Sequence, residues 1–366
     1  MKAIVVGAGI VGLSTAWALR KMGHDVAVNE QGPAPNPEGS SFDRHRLIRY
    51  PYGSSAGYAR MVRDAYRAWE LLWQDLGETL YAQTGTLVVR RTRDGWSTAS
   101  AAALADLGIE FNALEPAECE AKFPHIRWAN TLGAYHLNSG GLLFADKIVS
   151  ALTQRVRRMG VELRPRSTVA SVDVERTAVR FADGSAADAD AVVVAAGAWL
   201  LKLFPELSDA LKPSRQIVAY LEPPGDRVQA WAASPMILDL DQDPAVYVAP
   251  PARETGLKVG DHRFTGRGDP ADARGASAAE ATDVLRKCER LFSDHGGYRV
   301  EAARDCYYAV AADERFVVKC IGQTWIVSAC SGHGFKFGAV IGRAVADAVA
   351  GARRADEVAE WAAGMR

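Results

Sequence analysis

The chain opens on a short apolar run, Ala3 to Val6, that enters Gly7-Ala8-Gly9-Ile10-Val11-Gly12, an Ala/Leu-rich helical segment to about Met22, and a second run from Asp25 to Asn29. This order predicts a βαβ unit, the start of a doubly wound, mainly parallel α/β sheet. Gly7 permits the tight turn, Gly9 lets the backbone approach a pyrophosphate, and Gly12 allows the helix to pack close on the strand. The helix N-terminus adds unpaired N–H groups and a positive dipole end. Glu30 closes the second strand 21 residues after Gly9. There a carboxylate accepts hydrogen bonds from both ribose hydroxyls of an adenosine and repels a 2′-phosphate, so FAD or NAD fits and NADP does not. A glycine triplet in a chain with 33 glycines says little by itself. Strand, turn, helix, strand and acidic residue in sequence say much more.

Composition narrows the remaining options. At ~150 residues per domain, 366 residues predict about two domains. With 48% hydrophobic and 24% charged residues the chain reads as globular rather than disordered. The formal net charge of −1 provides no global field for nucleic acid or an anionic membrane. The most continuous apolar stretch, Ala191 to Leu201, is far short of the ~20 residues that cross a bilayer. The N-terminus enters a strand without a polar leader or cleavage site, so no signal peptide is expected. Five cysteines, at 119, 288, 306, 320 and 330, are odd in number and lack a CxxC pair. They suit a reducing cytoplasm better than a disulfide framework or a metal site.

Further along, Leu142 to Met159 predicts an amphipathic helix and Val161 to Arg180 predicts strands, followed by a turn at Asp183-Gly184. Ala191 to Ala196 reads as a buried parallel strand running into Gly197-Ala198-Trp199. Phe316 to Val327 reads as two strands, and Phe335 to about Val349 as a helix on which Gly338 and Gly342 provide a close-packing face. Strand-like pieces at Thr86 to Arg90, Gln216 to Leu221, Ala245 to Ala249 and Leu257 to Val259, with a helix near Ser277 to Phe292, predict a mixed sheet inserted into the first domain. The expected division is a Rossmann-type domain from 1-83, 141-212 and 305-366, and an α+β substrate domain from 84-140 and 213-304. Pro33 to Pro37 reads as a loop, and the tail after Gly351 as a surface helix.

Four segments carry a resemblance: the N-terminal fingerprint; Gly39-Ser40-Ser41 with Arg46-Leu47-Ile48-Arg49; Gly256-Leu257-Lys258-Val259-Gly260-Asp261-His262; and Cys306-Tyr307-Tyr308 leading to Ser331-Gly332-His333-Gly334-Phe335-Lys336-Phe337. With these the chain resembles, over nearly its whole length, the monomeric sarcosine oxidase and N-methyltryptophan oxidase family of the D-amino-acid-oxidase-like group. The resemblance implies FAD as cofactor, linked as a thioether from Cys306 to the flavin 8α-methyl. Such chemistry needs a thiol in an electropositive setting, which Arg304, Arg46 and Arg49 would supply. Cys119, Cys288, Cys320 and Cys330 read as small buried hydrophobes. The resemblance further implies that Ser40, Ser41, Arg46, Gly197, Gly332 and Gly334 lie at the cofactor. It makes Lys336 and Arg49 a clamp for a substrate carboxylate, places Lys258 beside flavin N5 to promote reaction with oxygen, and sets His262, Tyr247 and Tyr308 in the substrate cavity. The physics agrees: a Gly-x-Gly turn entering a helix favours negative charge on the reduced ring, two cations orient one small anion, and a fixed ammonium favours electron transfer to O₂. Leu257 and Val259 fall on the strand face opposite Lys258.

The sequence departs from the family at two places. Phe42-Asp43-Arg44 stands where the sarcosine oxidases have a His-rich stretch, and Asp261 stands where they have an aromatic residue. Asp261 facing the cavity would attract a second cationic group of a larger substrate; facing solvent it would do nothing. The resulting expectation is a monomeric FAD-dependent oxidase of a carboxylate-bearing secondary amine, such as an N-methyl amino acid or cyclic imino acid, that produces hydrogen peroxide. The alternatives are a primary-amino-acid oxidase or dehydrogenase with dissociable FAD, and a non-catalytic dinucleotide-binding protein.

Overall fold

The computed structural model describes residues 1–294 and 296–366. Its first sheet has six strands in the order Val317–Ile321, Thr324–Ser328, Ala191–Val194, Lys2–Val6, Asp25–Glu30, Glu162–Pro165. All neighbours are parallel except the first pair. Alternation along each strand sorts the side chains between two layers. Ala3, Val5, Val26, Val28 and Val193 join the core beneath the helices Ile10–Lys21, Ala56–Leu76, Ala145–Arg158 and Gly338–Val349. Ile4, Val6, Ala27, Val192 and Val194 join Val169, Val179 and Phe181 of a three-stranded antiparallel sheet on the other face.

The second sheet has eight strands in the order Arg299–Ala311, Leu211–Glu222, Leu257–Asp261, Val246–Ala249, Met236–Asp239, Thr86–Val89, Ala134–Leu137, Asn112–Leu114. It is mixed, with Met236–Asp239 and Thr86–Val89 parallel and the other pairs antiparallel. Ala219, Leu221, Val248, Leu257 and Val259 bury one face with Val284 and Cys288 of the helix Ala278–Cys288. A small sheet of Arg46–Ile48, Gly141–Leu143 and Tyr81–Gln83 lies between the two systems.

Three expectations change. The helix expected from Leu142 begins at Ala145, because Leu142 and Leu143 are taken up in backbone pairing with Leu47 and Arg46. The longest helix, Ala56–Leu76, is absent from the elements expected above. Its buried Tyr58, Met61, Val62, Ala65, Trp69 and Leu72 keep a 3.6-residue rhythm diluted by arginines. The expected divisions after residues 212 and 304 fall inside the two longest strands, which pair from Leu211↔Ala311 to Glu222↔Arg299. Leu211 and Ala311 belong to the core under the parallel sheet, while Ala219 and Leu221 belong to the core of the mixed sheet. A single ribbon therefore runs from one core to the other.

Gly338 and Gly342 let the last long helix lie against the first one. A Cβ at Gly342 would stand 2.5 Å from Ser14 Cβ and 2.7 Å from the Thr15 nitrogen. Backbone cannot yield as a flexible side chain does, so Gly342→Ala should lower stability by about 1–3 kcal/mol. Urea denaturation measures this, and an unchanged midpoint would mean that the helices separate without penalty.

Candidate active site

The loops at the carboxyl ends of the parallel strands, where ligands bind in open α/β folds, and one face of the mixed sheet enclose a cavity of about 430 Å³. At one end it is lined by Gly7, Gly9, Ile10 and Val11 of the fingerprint, with Glu30, Asn36, Ser40, Ser41 and Gly197. Gly7 adopts φ +102°, and a Cβ there would stand 2.5 Å from the Ala195 oxygen. Only glycine makes this turn between the first strand and its neighbour. Ser41 Oγ accepts the Ile10 N–H at 3.0 Å and closes over the start of the first helix. Glu30 is buried and organises the turn: Oε2 accepts the Ala8 N–H at 2.8 Å, and Oε1 accepts the Gly32 N–H and the Asn36 amide at 3.1 and 2.9 Å. Gly12 does not line the cavity. Its Cβ would stand 2.0 Å from the Gly7 oxygen, so its work is packing beneath the turn.

The middle of the cavity is walled by the 42–46 segment on one side and by Lys258, Tyr247 and Tyr308 of the mixed sheet on the other. Lys258 points away from Leu257 and Val259, as alternation requires, and is buried. Its Nζ donates to Asp43 Oδ2 at 2.6 Å and to the His45 carbonyl at 3.1 Å. Asp43 also accepts from the Arg46 guanidinium and the Tyr220 hydroxyl. Burial by itself would raise the Asp43 carboxyl, but Arg46 and Lys258 beside it hold it far below the ordinary carboxylate range. Burial, aided by Arg46, pushes Lys258 down to about 8 against the pull of Asp43. His45 is pushed down to about 3 by burial and by Lys258, so its imidazole is neutral, and neither ring nitrogen finds a hydrogen-bond partner within the protein.

At the far end lie Arg49 and Lys336, 9% and 4% exposed, on either side of Tyr52. The Arg49 guanidinium sits 4.5 Å from the Tyr52 ring centre and 5.6 Å from that of Trp96, and it donates to the Pro51 carbonyl. Lys336 Nζ donates to the Tyr52 hydroxyl at 3.0 Å and to the His333 carbonyl at 2.9 Å. Among the described residues no carboxylate pairs with either cation. Burial, then the neighbouring Arg49, drives Lys336 well below its usual value. His333 is held neutral by burial. Its Nε2 donates to the Glu314 carbonyl at 2.9 Å, which leaves Nδ1 to accept from Tyr52 at 3.2 Å.

The remaining expected residues are distributed as follows. His262 lines the cavity at its partly exposed margin, 3.0 Å from Glu314 Oε2. Gly332 and Gly334 line it too, but a Cβ at these positions would strike the Phe264 ring at 2.7 Å and the Ala329 oxygen at 1.9 Å, so protein packing already requires both glycines. Phe335–Phe337 forms a 3-10 turn that leads into Gly338–Val349, so the Gly-x-Gly segment does enter a helix. Cys306 is buried on the same strand face as Tyr308, with Arg46 Nη2 3.4 Å from its Sγ, but it is not among the residues that line the cavity. Arg304 turns to the Pro37 carbonyl instead. Asp261 faces neither cavity nor solvent: it is ion-paired with Lys287 of the helix Ala278–Cys288. Tyr52, His45 and the full part of Asp43 escaped the sequence analysis; a single carboxylate beside Arg44, His45 and Arg46 was the available signal for Asp43.

The model of one family, described as FAD dependent oxidoreductase, matches residues 2–348. The chain belongs to that family. It is 29% identical to peroxisomal sarcosine oxidase of Mus musculus over 93% of this chain and 90% of the relative. It is 26% identical to monomeric sarcosine oxidase of Bacillus sp. (strain NS-129), over 94% of this chain and 91% of the relative. Among solved structures, L-proline dehydrogenase from P. horikoshii superposes with a TM-score of 0.84 at 18% identity, covering 100% of this chain and 97% of the other, which shows the shared fold.

The cavity fits FAD. The fingerprint opens directly into it at Gly9, the buried Glu30 carboxylate stands at the end of the second strand, and His45 and Arg46 line its middle. A carboxylate accepting from ribose hydroxyls is worth about 1.5–3 kcal/mol per hydrogen bond. Glu30→Ala in a Cys306→Ser background should therefore weaken FAD binding by at least about tenfold. Titration of the cofactor-free protein with FAD by fluorescence quenching measures this, and unchanged affinity would remove Glu30 from the cofactor site.

Proposed function

We propose that the protein oxidises a secondary amine bearing a carboxylate, such as sarcosine, another N-methyl amino acid or a cyclic imino acid, and passes the electrons to O₂ to form hydrogen peroxide. The observation that carries this reading is the pair Arg49 and Lys336: two buried basic side chains line the cavity with no carboxylate partner among the described residues. A buried uncompensated cation is expensive, and an incoming carboxylate relieves that strain while fixing the orientation of its own amine. Bound FAD supplies the two-electron oxidation of the C–N bond. The protein's part is to hold the substrate by its carboxylate, to exclude water with Tyr247 and Tyr308, and to present the Lys258 ammonium where oxygen is reduced. His262, paired with Glu314 at the cavity margin, guards entry.

We place the covalent flavin link at Cys306, whose sulfur lies beside the Arg46 guanidinium. That Cys306 is not among the cavity-lining residues favours a second reading, in which FAD is dissociable and the substrate is a primary amino acid. Acid precipitation decides between them: colour retained in the pellet, and released to the supernatant by Cys306→Ser, supports the link. Flavin in the wild-type supernatant removes it. Similarity to relatives termed monomeric supports a monomer. No helix among the described residues is long and apolar enough to cross a membrane, and we place the protein in the cytoplasm on its cysteine usage.

The substrate assignment has two quantitative consequences. Arg49→Gln should raise KM for a carboxylate-bearing amine by about ten- to a hundredfold, the loss of a charged hydrogen-bonded contact. It should leave KM for an amine lacking a carboxylate nearly unchanged. Lys336 is depressed in the free protein, and a bound anion raises it again, so anion binding takes up a proton. Acetate should accordingly inhibit more tightly as pH falls, and a pH-independent inhibition constant would contradict the clamp.

A further inference from the structure

Asp43 is not among the residues that line the cavity, yet it contacts two that are, Lys258 and Arg46. Lys258 and Asp43 are 3% and 1% exposed and joined at 2.6 Å, with Arg46 and Tyr220 on the same carboxylate. A protonated lysine has three N–H donors. At Lys258 two are committed, to Asp43 Oδ2 and the His45 carbonyl, and one is left for the cavity. Both acceptors belong to one short segment that crosses from the fingerprint side, so the ammonium is aimed by a clamp rather than by its own strand.

The charged and titratable groups around Lys258 act in opposite directions. From the crossing segment come Asp43, Arg46 and the neutral His45, while Arg44 turns outward to Glu301. From the mixed sheet come Tyr220 on the adjoining strand, whose hydroxyl is occupied by Asp43, Tyr247 on the other side, and Cys306 one strand further. Arg46 and burial both favour the uncharged amine, and Asp43 opposes them.

We propose that Asp43 is a positioning residue for the reaction with oxygen: its carboxylate keeps Lys258 ionised and fixes the ammonium at the cavity wall, and so sets the pH range over which the protein uses oxygen. This rests on the reading that Lys258 promotes that reaction. Without Asp43, burial and Arg46 act unopposed, and the lysine loses its proton at lower pH. With Lys258 at about 8 in the intact protein, reactivity falls as pH rises through that value.

The test uses the holoenzyme and two readouts from about pH 6 to pH 10, the span around a depressed lysine. One is the rate at which the substrate-reduced protein is reoxidised in oxygenated buffer. The other is the visible spectrum of the oxidised protein, which senses charge beside the ring system without turnover. In the wild type both should show a common transition near pH 8. Asp43→Asn should move it down by about one unit or more, Asp43→Glu should restore it, and Lys258→Met should abolish it. The Asp43→Asn/Lys258→Met pair should react no more slowly than Lys258→Met alone. A wild-type transition in Asp43→Asn, or multiplicative losses in the double variant, would overturn the proposal. Should Asp43→Asn fail to fold, Lys258→Arg carries the test: a cation at every pH should remove the transition, and its persistence would be contrary. Wild-type reoxidation in Lys258→Met would instead sink the oxygen reading, and the spectral midpoint of Asp43→Asn would still decide whether Asp43 governs the lysine.

Discussion

The buried ion cluster of Asp43, Lys258 and Arg46 is the contact on which the geometry of the site depends. Asp43 and Arg46 ride on the segment that follows Ser40 and Ser41 over the first helix, and Lys258 rises from the mixed sheet. Breaking such a pair by removing one partner costs about 3–5 kcal/mol. The two sheets are thereby held to one relative position along a line that the cavity follows. Ser40, which hydrogen-bonds the Tyr307 carbonyl, and Arg46, which reaches both the Ser40 carbonyl and Cys306, repeat the same join.

The cavity is electrically uneven as a result. Around Lys258 and Arg46 a carboxylate is already present, so the cations there are fixed and partly balanced. Around Arg49 and Lys336 the partners among the described residues are carbonyls, a tyrosine hydroxyl and aromatic faces. Among the described residues, the cavity-lining basic side chains that no carboxylate balances lie at this end of the cavity. Burial makes the contrast strong, because in a low dielectric neither end is screened by water.

Much of this was legible in the sequence, for specific reasons. The glycine fingerprint has a local cause: a turn at φ +102° and a helix packed on a carbonyl admit no side chain, whatever the rest of the chain does. The direction of Lys258 follows from strand alternation between Leu257 and Val259. The long helix Ala56–Leu76 and the full length of the paired strands Leu211–Glu222 and Arg299–Ala311 were harder to see. Their exposed faces carry so many charged residues that the apolar rhythm is thin, and their pairing partners lie far away in the chain. Asp261 is a plainer case: the sequence offers cavity or solvent, and only packing against Ala278–Cys288 brings it to Lys287.

The sequence by itself determined the dinucleotide-binding opening, the α/β class with an inserted mixed sheet, and the residue types available for chemistry, because each rests on short-range sterics or on periodicity. The tertiary structure alone decided which charges are balanced. Asp43 meets Lys258 across 215 residues of chain, and Lys336 meets Tyr52, which stacks on Arg49, across 284. Coulomb energy depends on separation in space and on burial, and neither can be read from position along the chain.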